Sequence, residues 1–103
     1  MVFIYKKYKF METLQINNIE HLLKYINDSI GEQMTHNWIG SIVDDNIFKN
    51  GCKSEEAEKH AIEDYYEGTL LCAENEGYIK LNISKEEIYN ALWNIYANDP
   101  MID

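Results

Sequence analysis

Apolar residues recur at helical spacing through most of this chain, and the clearest run is Ser84 to Asn98. Ile88, Leu92 and Ile95 stand at i, i+4 and i+7 with Ala91 beside them, a narrow stripe suited to tight packing. Each residue turns about 100° around a helix, so Tyr89, Trp93 and Tyr96 form a second stripe next to the first. Glu86, Asn90, Asn94 and Asn98 are left on the far side. Ser84 and Glu87 have the S-x-x-E spacing of a capping box, which predicts where the helix starts. Pro100 predicts where it stops, because proline has no N–H to donate and pushes the preceding residue out of helical geometry.

Three more helices follow from the same reasoning. Asn17 with Glu20 supplies a cap ahead of Ile19, Leu22, Leu23, Ile26 and Ile30, and Gly31 closes the run. Trp38, Ile39, Ile42, Val43 and Ile47 predict a helix within Glu32 to Asn50, ended by Asn50-Gly51. Ser54 is expected to cap a third helix with Ala57, Ala61, Ile62 and Tyr65 inward, Glu56, Glu63 and Glu67 outward, and Gly68 at its end.

After Gly68 the pattern changes. TLLCA and YIKLNI flank Glu74-Asn75-Glu76-Gly77, which predicts a hairpin with Ile79, Leu81 and Ile83 on its buried side. Thr13 to Ile16 is a short extended lead-in. VFIYKKYKF, residues 2 to 10, has two open readings: an edge strand that widens the sheet, or an extension ahead of Met11. The expectation is one α+β domain over residues 1–103, a small antiparallel sheet packed against three to four helices.

Charge changes the picture more than composition does. The chain has 103 residues, 46% of them hydrophobic, which suits a single modest core. Eighteen acids face nine bases, for a net charge of −9, and every base is lysine. The first ten residues hold three of those lysines and no acid, so the remainder stands at −12. Direct nucleic-acid binding is disfavoured, because phosphate must be neutralised and bases are read mostly by arginine. No apolar run approaches the roughly 20 residues that cross a bilayer, so a cytoplasmic protein without membrane contact is expected. Cys52 and Cys72 are too few for a disulfide framework and are read as reduced, Cys72 as a small hydrophobe in an apolar run. Abundant Ile, Asn, Lys and Tyr with no Arg is what AT-rich coding produces, which points to a low-GC bacterium or its phage.

Catalytic signatures are absent: there is no phosphate loop, no G-x-S-x-G, no C-x-x-C and no H-E-x-x-H. Glu56, His60 and Asp64 at i, i+4 and i+8 offer an acid–base or metal cluster, but one exposed helix face more simply carries ordinary ion pairs. Cys52, His60, Cys72 and His36 match no zinc spacing, so no metal and no cofactor is expected.

The acids between residues 44 and 76 are the stronger lead. They either keep the surface soluble or form an interaction face. Asp44, Asp45, Glu56, Glu63, Glu67, Glu74 and Glu76, with Tyr89, Trp93 and Tyr96 as apolar anchors, are the candidate partner-binding residues. In size and charge, though in no motif, the chain is similar to small acidic proteins that block restriction or CRISPR nucleases. The leading expectation is a non-enzymatic inhibitor from a phage or mobile element, a nucleic-acid mimic bound to the basic surface of a nucleic-acid-binding protein. The alternatives are a self-associating structural or regulatory subunit, forming a homodimer through its aromatic stripe, and a small enzyme using the His60 cluster.

Overall fold

The Ser84 capping box forms as its spacing predicts. Glu87 N–H donates to Ser84 Oγ and Ser84 N–H donates to Glu87 Oε1, both at 3.1 Å, so two of the helix's orphan donors are satisfied. The structure, a computed structural model, describes residues 12–98. Its elements are β1 (Leu14–Ile16), α1 (Ile19–Ser29), α2 (Glu32–Phe48), α3 (Ser54–Tyr65), a π-helical turn (Tyr66–Leu70), α4 (Leu71–Asn75), β2 (Ile79–Leu81) and α5 (Lys85–Ala97). Helix takes 72% of this, leaving two three-residue strands, so the fold is mostly helical with a minor sheet. VFIYKKYKF and Pro100, on which an edge strand or extension and a helix stop are expected, lie outside the described residues.

The predicted antiparallel hairpin is overturned. Its first arm, Thr69 to Ala73, is helical, and the sheet is a parallel pair of β1 and β2 with Leu14 opposite Ile79, Gln15 opposite Lys80 and Ile16 opposite Leu81. The turn signal was real but belongs to a helix end. Tyr78 N–H donates to Ala73 O and Gly77 N–H to Glu74 O, both at 3.0 Å, and Gly77 sits at φ 88°. This is a Schellman closure, which needs a positive-φ glycine after polar residues just as a tight hairpin does. Parallel strands cannot be joined by a tight turn; the intervening helices supply the long crossover that they require.

Gly68, expected to end the third helix, lies inside the π-helical turn instead. Continuing the helix past Gly68 places Leu70 in the core together with Tyr66. Thr69 Oγ1 donates to Tyr65 O at 2.6 Å within this wider turn. Two caps also shift by one residue. Asn18, not Asn17, caps α1 by accepting from His21 N–H at 2.8 Å. Lys53 takes the cap position of α3 without a side-chain bond, and Ser54 is the first helical residue.

The core is where the helical periods place it. Leu22 and Ile26 of α1, Ile39 and Val43 of α2, Ala57, Ala61, Ile62 and Tyr65 of α3, and Ile88, Ala91, Leu92 and Ile95 of α5 are buried around Ile16 and Ile79 of the sheet. The most extensive helix pair is α2 with α3, and α5 packs on α1, α2 and α3. Thr35, 0% exposed, keeps its hydroxyl satisfied by donating to Gly31 O at 2.9 Å. That leaves its oxygen as the acceptor for Tyr65 Oη at 2.8 Å. Asn82 ties the two strand ends together, its Nδ2 donating to Gln15 Oε1 and Asn17 Oδ1 at 2.8 Å each. No helix among the described residues is long and apolar enough to cross a membrane.

Candidate interaction surface

The aromatic stripe of α5 is half packed and half open. Tyr89 and Tyr96 are partly buried against the core, whereas Trp93 is 41% exposed. Tyr89 meets Tyr66 edge-on with ring centroids 5.4 Å apart, and Trp93 leans on Tyr96 at 5.7 Å. Tyr96 in turn stacks on His36 of α2 at 5.7 Å, and its Cε1 lies 3.8 Å from where a Cβ on Gly40 would stand. Offset and edge-on pairs of this kind favour a fixed arrangement beyond the area they bury. Lys85 Nζ lies 5.7 Å from the centroids of both Tyr66 and Tyr89, within the range of a cation–π contact.

Beside this stripe, between α3 and α5, run two adjoining grooves. One, of about 250 Å³, is lined by Glu55, Glu58, Lys59, Ile62, Tyr89, Asn90 and Trp93. The other, of about 410 Å³, is lined by Glu55, Glu56, Lys59, His60, Glu63 and Tyr89. Tyr89 lines both, with Ile62 and Trp93 beside it in the first, and α3 contributes Glu55, Glu56, Glu58 and Glu63 to the two linings.

The tyrosine hydroxyls register the same negative field. Burial, and after it the charges of Glu63 and Glu67, push the Tyr89 hydroxyl above the usual tyrosine range. Burial followed by Glu58 and Asp44 does the same to Tyr96. At Tyr66 burial is again the largest cause, partly offset by Lys85 and reinforced by Glu74 and Glu67. Carboxylates from α2, α3 and the π-helical turn therefore act on a single aromatic row.

Not every expected site residue joins this face. Asp45 pairs with Lys49 at 3.6 Å one turn along α2, both largely exposed. Glu74 turns inward, and its Oε2 accepts from Leu81 N–H at 2.7 Å. That bond covers an open edge of β2, so Glu74 has a structural task in place of a free surface one. Glu76 is exposed at the end of α4. In the other direction, Glu55 and Glu58 line the groove beside Trp93 although neither is among the expected partner-binding residues. Their position in the first turns of a helix accounts for them as dipole partners, and only the packing of α5 across α3 brings them to the tryptophan.

Glu56, His60 and Asp64 are all exposed along α3. Among the described residues no three or more His, Cys, Asp or Glu side chains are grouped to hold a metal ion. Cys52 is half-buried and its thiol is pushed up, first by burial and then by Glu56. That direction is opposite to what thiolate chemistry needs. Cys72, expected inside, is exposed, because its run is helical and turns it outward. No protein-family model, no curated protein and no solved structure matches this chain.

Proposed function

We propose that this chain is a small, acidic, non-enzymatic interaction protein of the cytoplasm that covers a basic, nucleic-acid-binding surface on another protein. In its anti-restriction or anti-CRISPR form, the chain comes from a phage or mobile element and the target is a host nuclease. The observation that carries the reading is the set of carboxylates, Glu55, Glu56, Glu58 and Glu63 of α3, that line the two grooves beside the exposed Trp93 and the half-buried Tyr89 of α5. An aromatic anchor inside a charged rim is the anatomy of a binding surface, with the ring supplying area and the rim supplying orientation. The net charge of −9 supplies long-range attraction toward a basic partner, screened beyond about 8 Å at physiological salt.

The test is capture of the partner from host extract at low salt, then competition. The captured protein should bind nucleic acid, and duplex DNA or RNA should displace this chain from it. Association should slow as salt is raised from about 50 to 300 mM, and slow again when Glu56, Glu63 and Glu67 are changed to lysine. A ternary complex in which partner, nucleic acid and this chain coexist would refute the mimic reading, as would an association rate indifferent to salt and to charge reversal.

A further inference from the structure

We infer that the groove between α3 and α5 beside Trp93 is a receptor for a single arginine side chain carried by a protein partner. The inference rests on the basic-partner reading above and names the contact that would anchor it. Ile62, Tyr89 and Trp93 give the groove an apolar and aromatic lining, and Glu55 and Glu58 of α3 line it as well. An aliphatic guest would bury carboxylates without partners, and an anionic guest would be repelled by them. A cation with an apolar stem fits both surfaces. Between the two biological cations, guanidinium is planar, weakly hydrated, able to stack on an indole face and able to bond a carboxylate through two parallel N–H groups. The ammonium of lysine is a compact, strongly hydrated charge.

A further observation supports the assignment. Lys85 Nζ already sits 5.7 Å from the Tyr66 and Tyr89 centroids, so a cation over these tyrosines is compatible with the surrounding packing. The Tyr89 ring that Lys85 approaches is itself part of the groove lining, so the groove shares an aromatic ring with a cation already in place. Lys59 lines the groove as well and is the cation that an incoming arginine must displace. Its long stem lets the ammonium move out to water at little cost.

The experiment titrates the full chain with capped hexa-arginine and hexa-lysine peptides at about 50 mM salt, where charge interactions are only partly screened. Affinity is read by calorimetry, and the indole N–H resonances of Trp93 and Trp38 are followed by NMR. Hexa-arginine should bind about fivefold more tightly than hexa-lysine, a ratio set by stacking on the ring together with paired N–H bonds to a carboxylate. It should shift the Trp93 resonance while leaving Trp38 in place. Changing Glu55 and Glu58 to glutamine, at positions outside the core, should reduce the arginine preference to about twofold or less. Lys59→Ala should tighten arginine binding, a gain that unfolding cannot imitate. Equal affinities with an unmoved Trp93 resonance overturn the arginine receptor while leaving a charge-driven surface standing. Failure of both peptides to bind overturns both readings.

Discussion

Thr35 and Tyr65 provide the sharpest test of the packing, because the structure assigns direction to their bond. Thr35 Oγ1 donates to Gly31 O, so Tyr65 Oη must donate to Thr35 Oγ1. Thr35→Val keeps the shape and strands the tyrosine hydroxyl at a residue only 1% exposed, while Gly31 O still accepts from Thr35 N–H at 3.0 Å. A stranded buried hydroxyl costs about 1–3 kcal/mol. Tyr65→Phe strands nothing, since Thr35 retains its donation to Gly31, and the loss is about 0.5–1.5 kcal/mol. With both changes neither hydroxyl remains to be satisfied, so the double variant should be destabilised by about 1 kcal/mol less than the sum of the single changes. Urea unfolding of the four chains at a common slope measures this, and each kcal/mol should also appear as about 4–8 °C in Tm for a domain of this size. Single-variant costs that add to within about 0.3 kcal/mol would mean that the two hydroxyls do not share a bond, and would refute the reasoning.

Trp93→Ala should cost about 2 kcal/mol, because rather more than half of a ring worth about 150–250 Å² is covered and the unfolded chain covers part of it too. A thermal-unfolding loss of about 3–5 kcal/mol would identify the ring as core and remove it as an available anchor. Gly77→Ala should destabilise by about 1–2 kcal/mol because its φ of 88° excludes a side chain without strain. By contrast, Gly40→Ala should stabilise by about 0.5–1 kcal/mol, its new Cβ making ordinary contact with Tyr96 at 3.8 Å. The opposite signs are read from two unfolding curves, and equal signs would contradict the backbone argument. Tyr65, Tyr66, Tyr89 and Tyr96 are all held above the usual tyrosine range, burial being the first cause in each. The unfolded chain therefore gives up phenolic protons first, so stability present below the ordinary value of about 10 is lost as pH climbs through the raised folded values. A urea midpoint that stays level between about pH 9 and 11 would contradict this linkage.

Sequence alone determined what depends on neighbours within a turn or two. The Ser84 and Glu87 box, the buried row of Ile88, Leu92 and Ile95, the inner face of α3 and the closure at Gly31 could all be read directly, because caps and helical periods are local physics. Where one residue type serves two local structures, reading failed. Glu74-Asn75-Glu76-Gly77 carries the chemistry of a hairpin turn and of a helix end alike. Tertiary structure decided between them by burying Tyr66 and Leu70 on a continued helix and pairing Ile79 with Leu14 far back in the chain. The candidate surface divides in the same way. Its aromatic row on α5 and its acids were legible separately, but their meeting was not, since it depends on how α5 lies across α2 and α3. That same packing brings Glu58 to Trp93, whereas the backbone of β2 draws Glu74 away to its edge. Contacts between residues distant in sequence are chosen by the burial of the whole core, and no local pattern encodes that choice.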